Sequence, residues 1–357
     1  MENIKHLYII GNGFDIHHCR KTSYSEFYNW ALENHEDVIV EIENKVGRPL
    51  DDEWWSDFEN NLANIDAYTV SQTIASENVP DLLDDHVDRH WDDAKVYTEQ
   101  LFEEVYDDIK TIFEEWIQQG IAPTKSECLI SLNRKDSFFL TFNYTDTLEE
   151  SYHVSPSQIL HIHGSIYDKK FIIGHGKSEK EITNENKYND SRSVNKGSIE
   201  DDEDFYDDEE EDIYDNEEED FYDDEEEDFY EDEEEGLELH QQWALDAAIS
   251  SIASQRKPVT NIIKNNNDIF CSFKDVTDIH IYGFSFSDID LPYLDKIVEV
   301  IDLKNVSWEI SDFEDKNKEA IQKFLNKHGI SNYNIISLED KIPTSGQLEL
   351  FDTYDTF

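Results

Sequence analysis

The stretch LYIIGNGFD, residues 7–15, decides the fold. Its first four residues form a continuous apolar run that ends at a glycine, which reads as a buried strand entering a tight turn. A helix is expected near 24–35, where Tyr24, Phe27, Tyr28 and Leu32 recur at helical spacing and Ser23 can cap the start. The same alternation returns further on. FFLTFNY at 138–144, ILHIHGS at 159–165 and FIIGHG at 171–176 read as strands, and DIHIYGFSFSD at 278–288 as a strand running into a polar turn. DLPYLDKIVEVI at 290–301 reads as a helix with Pro292 in its first turn. VSWEIS is a further strand, KEAIQKFLNKHG a helix stopped by Gly329, and YNIISL a last strand. Strands alternating with helices predict an α/β fold with a doubly wound, mostly parallel, Rossmann-like sheet.

Two insertions interrupt this pattern. WWSDFENNLANI at 54–65 places Trp54, Phe58, Leu62 and Ile65 on one face. Residues 93–119 carry an apolar stripe of Tyr97, Leu101, Val105, Ile109, Ile112, Phe113 and Trp116 before Gly120. A mainly helical insertion at about 50–120 follows. Residues 177–236 form the second insert. It is polar at first, then becomes an octapeptide array, FYDDEEED, IYDNEEED, FYDDEEED, FYEDEEEG. Charge repulsion at this density opposes a compact state, so the insert is expected to be disordered. Helical periodicity resumes at 237–256 through Leu239, Trp243, Ala247, Ile249 and Ile252. Residues 1–176 and 237–357 are therefore expected to form one α/β domain.

Net charge is −56 over 357 residues. Residues 200–236 hold 27 Asp/Glu and no Lys/Arg, yet the rest still carries 58 acidic against 29 basic residues. An acidic body lacks the clustered Lys/Arg of a nucleic-acid footprint and is repelled by anionic lipid. Three cysteines, Cys19, Cys128 and Cys271, lie far apart in sequence, without a CxxC pair. They predict no disulfide framework and cannot make a four-cysteine zinc site; no metal is expected. There is no membrane-length apolar run and no signal-peptide pattern at the N-terminus. A cytoplasmic protein is expected.

Four polar turns fall at the ends of expected strands, the edge where doubly wound sheets bind ligands. The first, Gly11-Asn12-Gly13, would bring bare backbone N–H groups to phosphate; its ordinary reading is a strand-to-helix turn lacking the usual third glycine. In the second, Asn143 could hold a ribose hydroxyl or a water, or cap a helix. In the third, His161 and His163 are two apart and would share a strand face, His163 lying nearer the strand end beside Gly164; two structural histidines are the alternative. In the fourth, Gly283, the hydroxyls of 282–290 and Asp288 suit ribose or phosphate, or a helix cap.

Taken in order, GNGFD at 11–15, TSYSEF at 22–27, WSDFENNL at 55–62, FNYTDTLE at 142–149, HIHGS at 161–165 and YGFSFSDID at 282–290 resemble the AbiH family of bacteriophage abortive-infection proteins. The resemblance runs from about residue 4 to about residue 300, with 177–236 unmatched. That family is in turn similar to the wider sirtuin-like superfamily, which binds NAD. By this resemblance Asn143 and His163 match the catalytic Asn and His. Gly11, Asn12, Gly13 and Asp15 match the phosphate turn, and Ser285 and Asp288 the late cofactor contacts. Thr22, Asp146, Gly164 and Gly283 are grouped with them as cofactor-binding residues. Three features depart from the pattern. No zinc module is possible. Thr145 stands where many sirtuin-like hydrolases carry Asp. Cys19 stands where AbiH proteins commonly carry glycine.

The resemblance implies an anti-phage effector that binds NAD or a related nucleotide and hydrolyses its N-glycosidic bond. His163 would act as base and Asn143 would orient water or a ribose hydroxyl, while Asp15 or Asp146 would stabilise developing positive charge. The alternative is a sensor that binds the nucleotide without hydrolysing it and signals to a partner. A basic protein or phage component is the expected partner of the acidic array, and assembly with further copies stays open.

Overall fold

The computed structural model describes residues 4–79, 92–121, 124, 128–167, 171–194 and 224–343. Strand β1 is His6–Ile10, and helix α1, Asn12–His17, follows immediately. Helices α2 (Tyr24–Asn34), α3 (Glu36–Val46), α4 (Asp52–Ser56), α5 (Phe58–Asn61), α6 (Ala67–Glu77) and α7 (Asp93–Glu115) separate it from β2 (Ser137–Thr141) and β3 (Ile159–His161). Then come α8 (Glu179–Val194), α9 (Asp224–Ser254), α10 (Val259–Asn265) and α11 (Asn267–Ser272). The chain closes with β4 (Asp278–Tyr282), α12 (Leu291–Val300), β5 (Ser307–Ser311), α13 (Lys318–His328) and β6 (Tyr333–Ile336).

The six strands form one all-parallel sheet in the order β3-β2-β1-β4-β5-β6. This is the strand order of a Rossmann sheet, with the direction of winding reversing between β1 and β4. The register brings the strand ends level: Ile10 pairs with Thr141 and with Tyr282, and Thr141 pairs with His161. Gly11, Phe142, Ile162 and Gly283 therefore leave the sheet along one edge.

Because the sheet is covered on both sides, its strands are apolar on both faces. Leu7 and Ile9 join Leu140, Ile279, Ile281, Trp308 and Ile310 in one core, whereas Tyr8, Ile10, Phe139 and Tyr282 pack on the other side with Leu148 and Tyr152. A third core belongs to the helical layer, where α2 to α7 pack with α9 around Phe27, Trp55, Phe58, Phe113 and Trp116.

The helical layer corrects several side-chain expectations. Tyr97 is exposed; the buried stripe of α7 runs through Ala94, Thr98, Phe102, Val105, Ile109, Ile112 and Phe113. In α9 Leu239 and Trp243 are exposed, while His240, Ala244, Leu245, Ala247, Ala248, Ile249 and Ile252 are buried. Alanines let α9 approach α6 and α7 closely, and Leu245, Ile249 and Ile252 fill the same core beside them. Within the stretch expected to be an insert, α8 buries Ile182 against this same core. Residues 195–223, which hold most of the acidic array, lie outside the described residues. Among the described residues no helix is long and apolar enough to cross a membrane.

FIIGHG at 171–176 is not a strand of the sheet. His175 makes an isolated parallel bridge with Arg256, and its carbonyl accepts from the Lys257 N–H at 3.0 Å. A Cβ on Gly174 would lie 2.1 Å from the Gln255 carbonyl oxygen. The glycine thus lets this segment press against the end of α9, which fixes where Lys257 points. Folding also brings together two cysteines distant in sequence, with the Sγ atoms of Cys19 and Cys128 3.2 Å apart.

Candidate active site

The glycine turn at 11–13 meets the turn after β4 almost backbone to backbone. Gly11 continues the sheet by donating to the Tyr282 carbonyl at 2.9 Å, and Gly13 donates to the Gly283 carbonyl at 2.8 Å. A Cβ on Gly11 would sit 2.6 Å from that Gly283 oxygen. Gly283 itself has φ +64°, and a Cβ there would lie 2.0 Å from the Phe14 nitrogen. These glycines are required by close packing and by left-handed backbone. One expectation changes as a result. Gly11, Gly13 and Phe14 commit their N–H groups to carbonyls, which leaves the Asn12 N–H for a ligand rather than a full row.

Beyond this contact lies a cavity of about 690 Å³ at the edge where the winding reverses. That is a typical size for a small-molecule or cofactor site. Of the residues expected there, Gly11, Asn12, Gly13, Asp15, Thr22, Asn143, His163, Gly283 and Ser285 line it. Three do not. Asp146 turns to Arg20, whose guanidinium reaches it at 2.7 Å. Gly164 provides a left-handed turn, φ +92°, behind His163. Asp288 projects into solvent near Lys323; the carboxylate that enters the cavity from this turn is Asp290.

Asn143 stands two residues past β2. Its N–H donates to the Thr141 hydroxyl at 3.1 Å, and its side-chain Nδ2 donates to the Gly11 carbonyl at 3.1 Å. This orients the amide and leaves Oδ1 buried without a hydrogen-bond partner. β3 ends at His161, so the two histidines do not share a strand face. His161 meets the Asn143 carbonyl at 3.0 Å and Glu149 at 2.9 Å, while His163 turns into the cavity. His163 is 2% exposed, and its Nε2 has no hydrogen-bond partner. Burial, followed by the charge on Lys257, holds its pKa well below the ordinary histidine value, so the ring is neutral.

Asp15 is buried behind the glycine turn and accepts from the hydroxyls of Thr145 and Thr147, the latter at 2.5 Å. Arg20 donates to Thr147 at 2.8 Å and closes the network. Burial raises the Asp15 pKa; the two hydroxyls and Arg20 oppose that rise. Both oxygens are thereby occupied, which suits a residue that props the turn. Cys19, in the same segment, has φ +60°, which explains why glycine suits that position. Phe286 is also left-handed, φ +57°, and is buried between the two serines that line the cavity, Ser285 and Ser287. A bulky residue there holds the turn in a strained shape, as functional turns often are.

Sequence reasoning missed one group altogether. Lys257 is buried, with Nζ 2.7 Å from Glu59 Oε1 and 3.9 Å from Asp290 Oδ1. Asp290 Oδ1 lies 3.6 Å from His163 Nε2. Glu59 comes from the helical layer, Lys257 from the loop after α9, and Asp290 from the residue before α12. Burial raises both carboxyl pKa values against the pull of Lys257. Burial works against the charge on Lys257, but the two carboxylates together more than offset it and raise its pKa. The available signal was Glu59 inside WSDFENNL, a stretch otherwise explained by its apolar face.

Among the described residues no group of three or more His, Cys, Asp or Glu is arranged to hold a metal ion. No curated protein and no solved structure matches the chain. A family model described as bacteriophage abortive infection AbiH matches residues 7–312, a span that includes every cavity residue named above up to Asp290, and the chain belongs to that family.

Proposed function

We propose that this abortive-infection protein binds NAD, or a closely related nucleotide, and hydrolyses its N-glycosidic bond. One observation carries the reading. Two buried and unpartnered polar atoms, Asn143 Oδ1 and His163 Nε2, face one cavity where the winding of a Rossmann-ordered sheet reverses. Leaving such atoms unsatisfied costs about 1–3 kcal/mol each, a cost that a bound polar ligand removes. The resemblance to sirtuin-like proteins, which use Asn and His in these places, supports NAD as the nucleotide.

The chemistry follows from the neutral imidazole. Asn143 orients a water against the anomeric carbon, and His163 takes the proton as the water oxygen bonds to that carbon. The carbon–nitrogen bond breaks, and its electron pair neutralises the nicotinamide ring, which leaves. Asp146 takes no part, because it faces Arg20 outside the cavity.

The test is release of nicotinamide from NAD by the purified full chain, beside His163→Ala, with binding followed in the same samples. Loss of a positioned base should lower turnover by about 10²–10⁴-fold with binding retained. A folded His163→Ala protein that turns over like wild type would overturn the assignment. Binding without release would favour a sensor, a reading helped by Thr145, which directs its hydroxyl to Asp15.

A further inference from the structure

The trio of Glu59, Lys257 and Asp290 has no part in the chemistry above, yet it lines the same cavity. Two carboxylates share one ammonium group, so the set is short of one positive charge. The ring beside it cannot supply that charge, because His163 is buried and neutral. Glu59 and Asp290 are both mostly buried, at 14% and 13% side-chain exposure, so water screens the imbalance poorly. Burial makes each carboxyl hold a proton more readily than in water, and a bound cation would replace such a proton.

The walls around the trio are aromatic. Tyr24 and Phe113 line the cavity with ring centroids 6.3 Å apart, and Tyr144 stands 5.4 Å from Phe113 edge-on. Burial and the neighbouring charge on Glu59 hold the Tyr24 pKa well above its ordinary value. Aromatic faces attract a planar cation, most strongly where water is excluded. His163 Nε2, buried and unpartnered, points into the same space, which marks it as a ligand site and not only a structural ion cluster.

We infer that Glu59, Lys257 and Asp290 form a subsite for a planar, singly charged cation, with the helical layer supplying the decisive carboxylate. The inference rests on the nucleotide reading in that an oxidised nicotinamide ring is such a cation. It also assigns the helical layer a role that the Rossmann sheet cannot fill, since Asp290 alone would be neutralised by Lys257.

Binding of 1-methylnicotinamide, a permanent cation, and of neutral nicotinamide to the full chain tests this. Wild type should prefer the cation by about tenfold or more, and Glu59→Gln should bring the two affinities within about threefold. Equal affinities in wild type, binding of neither probe, or a preference that survives in folded Glu59→Gln would each overturn the subsite. The wild-type comparison needs no variant, and Asp290→Asn repeats the test if Glu59→Gln does not fold. The two proposals separate cleanly. A chain that prefers the cation but does not bind NAD keeps the subsite and loses the dinucleotide. A chain that hydrolyses NAD without the preference loses only the subsite.

Discussion

Two walls of one cavity are built in opposite ways. The wall of Gly11, Gly13 and Gly283 is backbone against backbone, with no room for a single carbon. The wall of Glu59, Lys257 and Asp290 is side chain against side chain, held by charge. The first is rigid because sterics forbid alternatives. The second is held by the attraction of one ammonium group for two carboxylates, which leaves the set short of one positive charge, and it joins two layers of the molecule. Close packing therefore shapes one side of the pocket, and buried charge lines the other.

The largest expected effect comes from breaking the charged wall. Lys257→Met leaves two buried carboxylates without their cation and should destabilise the protein by about 3–5 kcal/mol. Denaturant unfolding reads this directly. Adding Glu59→Gln should recover part of the loss, with a coupling of about 1–3 kcal/mol. Strict additivity of the two changes would mean that the residues do not act as a unit.

Breaking the glycine wall comes next. Gly283→Ala places a methyl group against backbone at a left-handed position, at a cost of about 3 kcal/mol. Thermal unfolding should show it, and an unchanged melting temperature would refute the close contact.

A third measurement separates the walls by pH. His18, behind the glycine turn, donates through Nδ1 to the Phe14 carbonyl at 2.6 Å and accepts from the Tyr152 hydroxyl through Nε2 at 2.5 Å. Burial depresses its pKa to about 4 from 6.5; the Phe14 bond opposes this, and His17 and Arg20 add to it. The unfolded chain therefore binds the proton first as pH falls. The stabilisation is complete above pH 6.5 and is lost between 6.5 and about 4, by roughly 3 kcal/mol. His163 acts with the same sign. Unfolding midpoints measured across this range should fall less steeply in His18→Gln. If the acid slope is unchanged in that variant, His18 is already charged in the folded protein.

The smallest effect is expected at Asp288, outside both walls. Asp288→Ala should change stability by less than about 0.5 kcal/mol and leave nucleotide binding intact. Weakened binding would return to Asp288 the role that the fold assigns to Asp290.

Much of the frame was legible because it follows from local rules. An apolar run ending in Gly-x-Gly gave β1 and its turn, and strand-helix alternation predicted the parallel sheet. Asn143 and His163 were legible because each follows a strand, and strand ends are where such sheets bind. His161 misled because period two was extended two residues beyond the end of β3, to His163. FIIGHG misled because its apolar residues are split between two cores, Phe171 and Ile173 in the helical layer and Ile172 against the sheet, without joining a strand ladder. Asp288 misled by two positions, since the turn around Phe286 decides which carboxylate faces inward.

By itself the sequence determined the class of fold, the positions of most strands, the glycines at the winding reversal and the placement of Asn143 and His163 just past strand ends. Each of these is set by neighbours within a few residues, through periodicity, steric freedom at glycine or chain direction. Only the tertiary structure decided the strand order, the commitment of the turn's N–H groups to carbonyls, and the meeting of Glu59, Lys257 and Asp290. Those three residues come from separate layers and have no shared spacing. A charge cluster assembled across 231 positions of chain leaves no local pattern, because its energy exists only once the layers have packed.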